Sequence, residues 1–490
     1  MANILVAAAA QAVDASYFES PDMNQIPLPL YLRFCTAILC GLASFHSAAA
    51  EDALFEIKVI DSDNGWPVPL VELRTNHQQR FVTDNAGVIA FDLPELMGQE
   101  TWFAVRGHGY GVPADRFGYR GVRLTPKAGG RATVKVQRQL PAIRLGRLTG
   151  AGLFAESRKL GRRADTDESG VLGCDSIQTA VHNNQLFWFW GDTTIARYPL
   201  GIFHMSGATT PLSPFKKFEP PIQPQFSYFS DSAGRVLEVG RMPGDGPTWI
   251  SGIISLPDQN GQSRLVGCYS KIRPPLEAYE TGLCVWDDLQ NRFVPHRVLW
   301  NKSDRQPTAP LCPDGHPVVH TDSRGATWLL FGDPFPRFRC KATFEAWSDP
   351  DSWQRLEPQQ QVPIRDSDQQ VKPHRGSIAF HRSLGKWVTV FTQMYGEPSA
   401  FGEIWYAEAA APTGPWRDAV KVVTHDNYTF YNPLLHPELI DAGDSFLLFE
   451  GTYTATFADQ PVPTPRYDYN QILYRLELPL SMARDNTHQP

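Results

Sequence analysis

An apolar, largely aromatic strand recurs five times in the C-terminal two-thirds of the chain. Its copies are LFWFWGDT (186–193), RLVGCYSK (264–271), TWLLFGDP (327–334), KWVTVFTQ (386–393) and SFLLFEGT (445–452). Each follows another strand with a polar or Gly/Pro-containing start: DSIQTAV from Asp175, PTWISGIIS from Pro247, GHPVVHT from Gly315, RGSIAFH from Arg375 and NPLLHPEL from Asn432. A third segment comes after each: GIFHMSGATT from Gly201, TGLCVWDDL from Thr281, FEAWSDPDSW from Phe344, GEIWYAEAA from Gly402 and NQILYRLEL from Asn470. The runs are too short and too aromatic for helices, and turn formers such as His182-Asn183-Asn184 separate them. Five units of three or four strands, repeating at roughly sixty residues, predict a five-bladed β-propeller over 170–480 rather than a sandwich, which would not repeat in this way. The segment 143–154, just before the first unit, is the expected closing partner of the last, which would leave no long open sheet edge. No stretch asks for a buried helix.

The 490 residues are enough for a large and a small domain, and 12% aromatic content with 41 Pro and 38 Gly agrees with β structure. A net charge of −7 with scattered basic residues excludes the electrostatic footprint of a nucleic-acid binder. Residues 28–50, LPLYLRFCTAILCGLASFHSAAA, read as a secretory signal. Arg33 precedes an apolar stretch, and Ala48 and Ala50 fit a small-residue cleavage pattern, so cutting is expected after Ala50. Met23 is a candidate start. The apolar stretch is short for a bilayer span, and no other segment could cross a membrane, so the mature protein is expected to be secreted or periplasmic without an integral membrane segment. Five cysteines remain after cleavage, an odd number with no metal-site spacing, and they read mostly as small buried hydrophobes.

Residues 51–140 form a separate unit of short alternating strands, FEIKVID, PVPLVELRT and VIAFDLP among them, and predict a small β-sandwich. Residues 141–169 are a linker or the closing strand, and 481–490 a C-terminal tail. The pattern Asp61-x-Asp63-x-Gly65-x-Pro67-Val68-Pro69, then Thr83-Asp84-x-x-Gly87 to Phe91, then Gly107-His108-Gly109-Tyr110, resembles carboxypeptidase regulatory-like, transthyretin-like domains. That resemblance implies an accessory module without catalysis, expected to fold alone and to be dispensable for activity.

In a propeller the innermost strands line a channel, and polar residues at their starts converge on one face. Here those starts carry Asp175, Asp245 with Trp249, Asp314 with His316, His374 with Arg375, and Asn432 with His436. A single Asp at a strand start is most often a turn residue. Five polar groups at equivalent places in five repeats argue for a site. The layout is similar to the five-bladed propeller glycoside hydrolases, the group of arabinanases, β-xylosidases and invertases, over about 170–478. The resemblance implies an Asp of the first blade as base or nucleophile, matched by Asp175, and an orienting Asp of the second, matched by Asp245. It also implies a Glu acid in the third, where CPDGHPVV offers Asp314 and His316 but no Glu.

Glycoside cleavage needs one protonated and one ionised group, which paired carboxyls supply by pushing their pKa values apart. Asp175, Asp245 and Asp314 are candidates. His316 stands in for the missing acid, since histidine transfers protons near neutral pH. Glu403 and Glu450 are further acid candidates, set against a reading as surface or inter-blade hydrogen-bonding groups. Trp249, Tyr395 and Tyr431 could stack on sugar faces or belong to the core. Lys271 and Arg375 could hold an anionic sugar group or form structural ion pairs. His374, Asn432 and His436 complete the expected substrate-binding rim. Asp192 and Asp333 sit in Gly-Asp turns after core strands and read as turn formers. The scattered histidines give no metal set, and no cofactor is implied. The expected function is a secreted glycoside hydrolase acting on a poly- or oligosaccharide. The alternatives are a non-catalytic carbohydrate-binding or adhesion propeller, or a polysaccharide lyase built on His374, Arg375 and His436.

Overall fold

The computed structural model describes residues 53–163, 169–215, 217–303, 310–458 and 462–480. The predicted signal region and C-terminal tail lie outside them. The described chain is almost entirely β: a small sandwich followed by a five-bladed propeller.

The sandwich packs two four-stranded sheets face to face. Phe55–Asp61 runs between Val88–Phe91 and Arg131–Arg138, and is parallel to the latter. Glu72–Thr75 lies between Arg80–Val82 and Thr101–Arg106. Alternation in FEIKVID turns Ile57 and Val59 onto Leu73, Ile89, Phe103 and Val136, which together exclude water from a single core.

Each blade is a four-stranded antiparallel sheet, and each inner strand begins within three residues of where the repeats place it. The inner strands are Gln178–His182, Thr248–Pro257, Val318–Thr321, Pro373–His381 and Thr429–Leu435. The fifth blade takes its outermost strand, Ile143–Arg147, from ahead of the first, as the expected closing segment requires. Neighbouring blades are bonded near the axis. Ile253 N donates to Gln178 Oε1 at 3.4 Å, Gly252 N to Gly315 O at 2.9 Å, Gly376 N to Asp333 Oδ1 at 2.7 Å, Leu435 N to Ser377 Oγ at 2.8 Å and Ser176 N to Thr452 Oγ1 at 3.0 Å.

Two segments depart from the sequence reading. FEAWSDPDSW is helical: Thr343 caps Phe344–Ser348 by accepting from Ala346 N, and a 3₁₀ turn, Pro350–Ser352, follows. The third strand of that blade is instead Pro336–Lys341. The N-cap threonine and the first-turn Glu345 are helix signals that outweigh the aromatic content of the run. In the first blade, GIFHMSGATT is split. Tyr198–Ile202 joins a separate three-stranded sheet with Thr193–Ile195 and Val171–Cys174, and only Ser206–Thr210 pairs within the blade.

The described residues of sandwich and propeller, from Ala53 on, belong to one compact unit. Arg144, on the strand that completes the fifth blade, is wholly buried between them. Its guanidinium donates to the carbonyls of Pro69, Leu70, Gly107 and His108 and to Tyr474 Oη, and it lies over the rings of Tyr110 and Tyr474. Asn85 bonds both backbone groups of Arg147, and Tyr467 Oη donates to Thr83 O at 2.8 Å. The residues that end the sandwich's turns therefore serve as propeller contacts.

Candidate active site

The first blade presents two carboxyl groups side by side. Asp175 leads into the inner strand and Asp192 leaves the second strand. The two are tied across the ladder by Gly191 N to Asp175 O at 2.7 Å and Asp175 N to Asp192 O at 3.2 Å. Glycine at 191 lets Asp175 keep this place, because a Cβ at that position would displace Asp175 Oδ1. Asp175 Oδ2 accepts from Tyr431 Oη at 2.8 Å and from Tyr469 Oη at 2.7 Å. Tyr431 comes from the inner strand of the fifth blade, and Tyr469 precedes that blade's third strand. Asn432 Nδ2 donates to Ser176 Oγ at 2.8 Å and steadies the adjoining turn.

The two acids differ in their surroundings. Burial pushes Asp175 above the usual carboxylate range, while the hydroxyls of Tyr469 and Tyr431 favour its charged form and pull it back. Asp192 is pushed up to about 7 by burial and then by the neighbouring charge of Asp175, with Trp249 pulling the other way. Its Oδ1 is buried and has no hydrogen-bond partner. Asp192 is therefore partly protonated at neutral pH, beside an Asp175 whose charged form is supported by two phenol hydroxyls, a contrast of the kind acid–base chemistry uses.

A second polar cluster spans the third and fourth blades. Asp333 accepts from Gly376 N at 2.7 Å and from Arg375 Nη1 at 2.6 Å, and Asp314 pairs with Arg337 at 2.6 Å. His316 Nδ1 lies 3.2 Å from Gln178 Nε2. Burial drives His316 down to about 4, with Asp333 opposing and Arg375 and His436 adding to the fall. The ring is therefore neutral at pH 7, without the imidazolium proton that would make it a general acid. His374 packs against Phe401, its ring centroid at 4.8 Å, and burial lowers it too. His436 is wedged between Glu438 and Glu450, 2.9 Å from each; burial opposes its charge, but the two carboxylates outweigh burial and raise it to about 9.

Trp249 therefore lies by Asp192 and Asn432 by the turn after Asp175, while His316, Arg375 and His436 belong to the adjoining polar network. Asp245 is placed differently. It is exposed on the loop before the second blade, where its carbonyl accepts from Tyr279 Oη at 2.7 Å. Among the described residues it makes no hydrogen bond or ion pair through its carboxylate and none to Asp175. Lys271 is buried, with Nζ bonded to Met242 O at 3.3 Å, Gly246 O at 2.8 Å and Thr248 Oγ1 at 3.2 Å. It closes that loop and cannot reach an anionic ligand. Glu403, just ahead of the third strand of the fourth blade, is buried beside Lys421 and Thr424, and Glu450 is the partner of His436. Asp192 and Asp333 were expected to be plain turn formers; both instead have carboxylates turned into polar clusters. The signal that could have found them is the repetition of Gly-Asp at the same strand end in two blades, GDT and GDP. Among the described residues no group of three or more His, Cys, Asp or Glu could hold a metal ion. A groove of about 380 Å³ lies toward the hairpin ends of the third and fourth inner strands, lined by Val319, Phe380, Arg382, Trp387, Ile440 and Asp441 among others.

No protein-family model and no curated protein sequence matches the chain. Among solved structures it is similar to an exo-1,5-α-L-arabinanase from a bovine ruminal metagenomic library, with 11% identity over 63% of this chain and 94% of that one at a TM-score of 0.36. It is similar to a Bacillus subtilis arabinanase at 12% identity over 62% and 96%, TM-score 0.31. An α-L-arabinofuranosidase from Clostridium thermocellum aligns at 13% identity over 60% and 95%, TM-score 0.32. Such values leave the function to be argued from the chain's own residues.

Proposed function

We propose that the chain is a glycoside hydrolase acting on a poly- or oligosaccharide, with Asp175 as base or nucleophile and Asp192 as proton donor. The observation that carries this reading is the adjacent carboxyl pair, in which Asp192 is held near pH 7 while Asp175 accepts two hydroxyl hydrogen bonds. Trp249, beside Asp192 and 39% exposed, offers an apolar face on which a sugar ring can stack. Asp192 takes the acid role first assigned to His316, because the buried histidine is neutral. The second reading, a carbohydrate-binding propeller, is favoured by the exposed Asp245, which leaves the site without a second-blade acid. We further propose export with cleavage after Ala50, on the charge and apolar pattern of 28–50, and an accessory role for the sandwich, on its turn motifs.

The test is a polysaccharide panel incubated with residues 51–490, scored by release of reducing ends, with Asp175→Asn and Asp192→Asn alongside. Each variant is expected to lose about 10²- to 10⁴-fold in turnover at nearly unchanged melting temperature. Saccharide binding without cleavage by the wild type would establish the second reading. The intact mass of exported protein checks the cleavage site.

A further inference from the structure

Two tyrosines, from separate segments of the fifth blade, spend their hydroxyls on the same oxygen of Asp175. Tyr431 Oη lies 2.8 Å and Tyr469 Oη 2.7 Å from Oδ2, and neither is directed at Oδ1. Oδ1 is left to the side away from the tyrosines and packs against Gly191, where a Cβ would displace it, and the backbone N–H of Asp192 also favours the charged carboxylate. The backbone is held in costly conformations to achieve this. Ser176 at φ 51°, Asn432 at φ 50° and Tyr469 at φ 58° are all non-glycine residues in the left-handed region, and all three are at the carboxylate or its turn. The Ser176 hydroxyl, taken up by Asn432, adds a further pull toward the charged form.

We propose that Tyr431 and Tyr469 are positioning residues: together they hold Asp175 ionised, fix the rotation of its carboxylate and leave Oδ1 as the one oxygen that reacts. This rests on the acid–base reading of the Asp175–Asp192 pair. A carboxylate bonded twice through one oxygen cannot turn that oxygen to a substrate without losing both bonds. The lone pairs of Oδ1 therefore receive the proton from an attacking water, or attack carbon, while Asp192 supplies the leaving group's proton. Removing the phenol oxygens would leave burial less opposed, so that Asp175 takes up a proton at higher pH and weakens as a base.

The experiment is a pH titration of ¹³Cγ-aspartate-labelled protein by NMR, in wild type, Tyr431→Phe, Tyr469→Phe and the double variant. Asp175→Asn and Asp192→Asn assign the two signals. The double variant is expected to raise the Asp175 midpoint by about one pH unit or more, and each single variant, which deletes one oxygen atom, by about half as much. The singles serve if the double does not fold. On any substrate the panel yields, the acid limb of kcat/KM should move up by the same amount. An unmoved Asp175 midpoint with a lowered melting temperature would make the tyrosines mere seam contacts between the first and fifth blades and overturn the proposal. The titration does not depend on turnover. A moved midpoint in a protein that cleaves nothing on the panel would sink the hydrolase reading and leave the assignment of the ionisation clamp standing.

Discussion

Replacing His436 by glutamine should remove a pH-dependent share of the stability. The imidazole is wholly buried, with Nδ1 on Glu438 and Nε2 on Glu450, each at 2.9 Å. Its folded-state value of about 9 lies above the unfolded value of 6.5, so the unfolded chain loses this proton first as pH rises. The stabilisation is complete below pH 6.5 and disappears as pH passes through about 9. At 1.36 kcal/mol per pH unit, that gap is worth about 3 kcal/mol. Burial also raises Glu450, a cost that the charged histidine partly offsets, so without His436 the carboxyl is expected to take up a proton instead. Asp192 titrates at the lower edge of the same range, while the buried thiols of Cys268, Cys284 and Cys340 are raised above it. The informative quantity is therefore the difference between wild type and His436→Gln. Urea unfolding of both proteins should show a gap of about 3 kcal/mol at pH 6.5 that shrinks below about 1 kcal/mol by pH 9.5. Parallel stability curves across that range would refute the argument and make the imidazole a neutral hydrogen-bonding spacer.

Asp192 must be protonated to donate, so kcat/KM on any cleaved glycan is expected to fall as pH rises through about 7, and Asp192→Asn should abolish that limb along with most of the activity. Arg144→Met keeps the bulk but leaves four carbonyls and Tyr474 Oη without their donor, at a cost of about 3–5 kcal/mol, and scanning calorimetry should show a melting temperature several degrees lower. The same buried contacts predict that a propeller cut free of residues 51–140 will aggregate, and a soluble, fully active truncation would show them to be dispensable. Gly191→Ala drives a methyl into Asp175 Oδ1 and should cut turnover by about 10²-fold or more with only a modest loss of stability; unchanged turnover would remove Oδ1 from the reaction.

Apart from the helical FEAWSDPDSW and the split GIFHMSGATT, the main strands and their order were legible in the chain alone, because a half-buried strand writes its burial into alternate residues and a repeat writes it five times. The fivefold parse, the two-layer sandwich and the outermost strand borrowed from before the first blade all follow from such local signals. The position of Asp175 ahead of the first inner strand was legible for the same reason: it occupies a defined place in a repeating unit. What a carboxylate faces is a different matter, decided by elements far away in sequence. Asp192 and Asp333 look alike as Gly-Asp turns, yet one meets the other first-blade acid and the other an arginine of the next blade. Tyr431 and Tyr469 reach Asp175 only because the fifth blade is folded against the first. Asp245 and Lys271 carried plausible charges at plausible positions, but one points to solvent and the other is consumed in closing its own loop. Sequence determines which groups are present and which strand carries them. The dielectric around each group, and the donors that converge on it, exist only once the blades have closed in on one another.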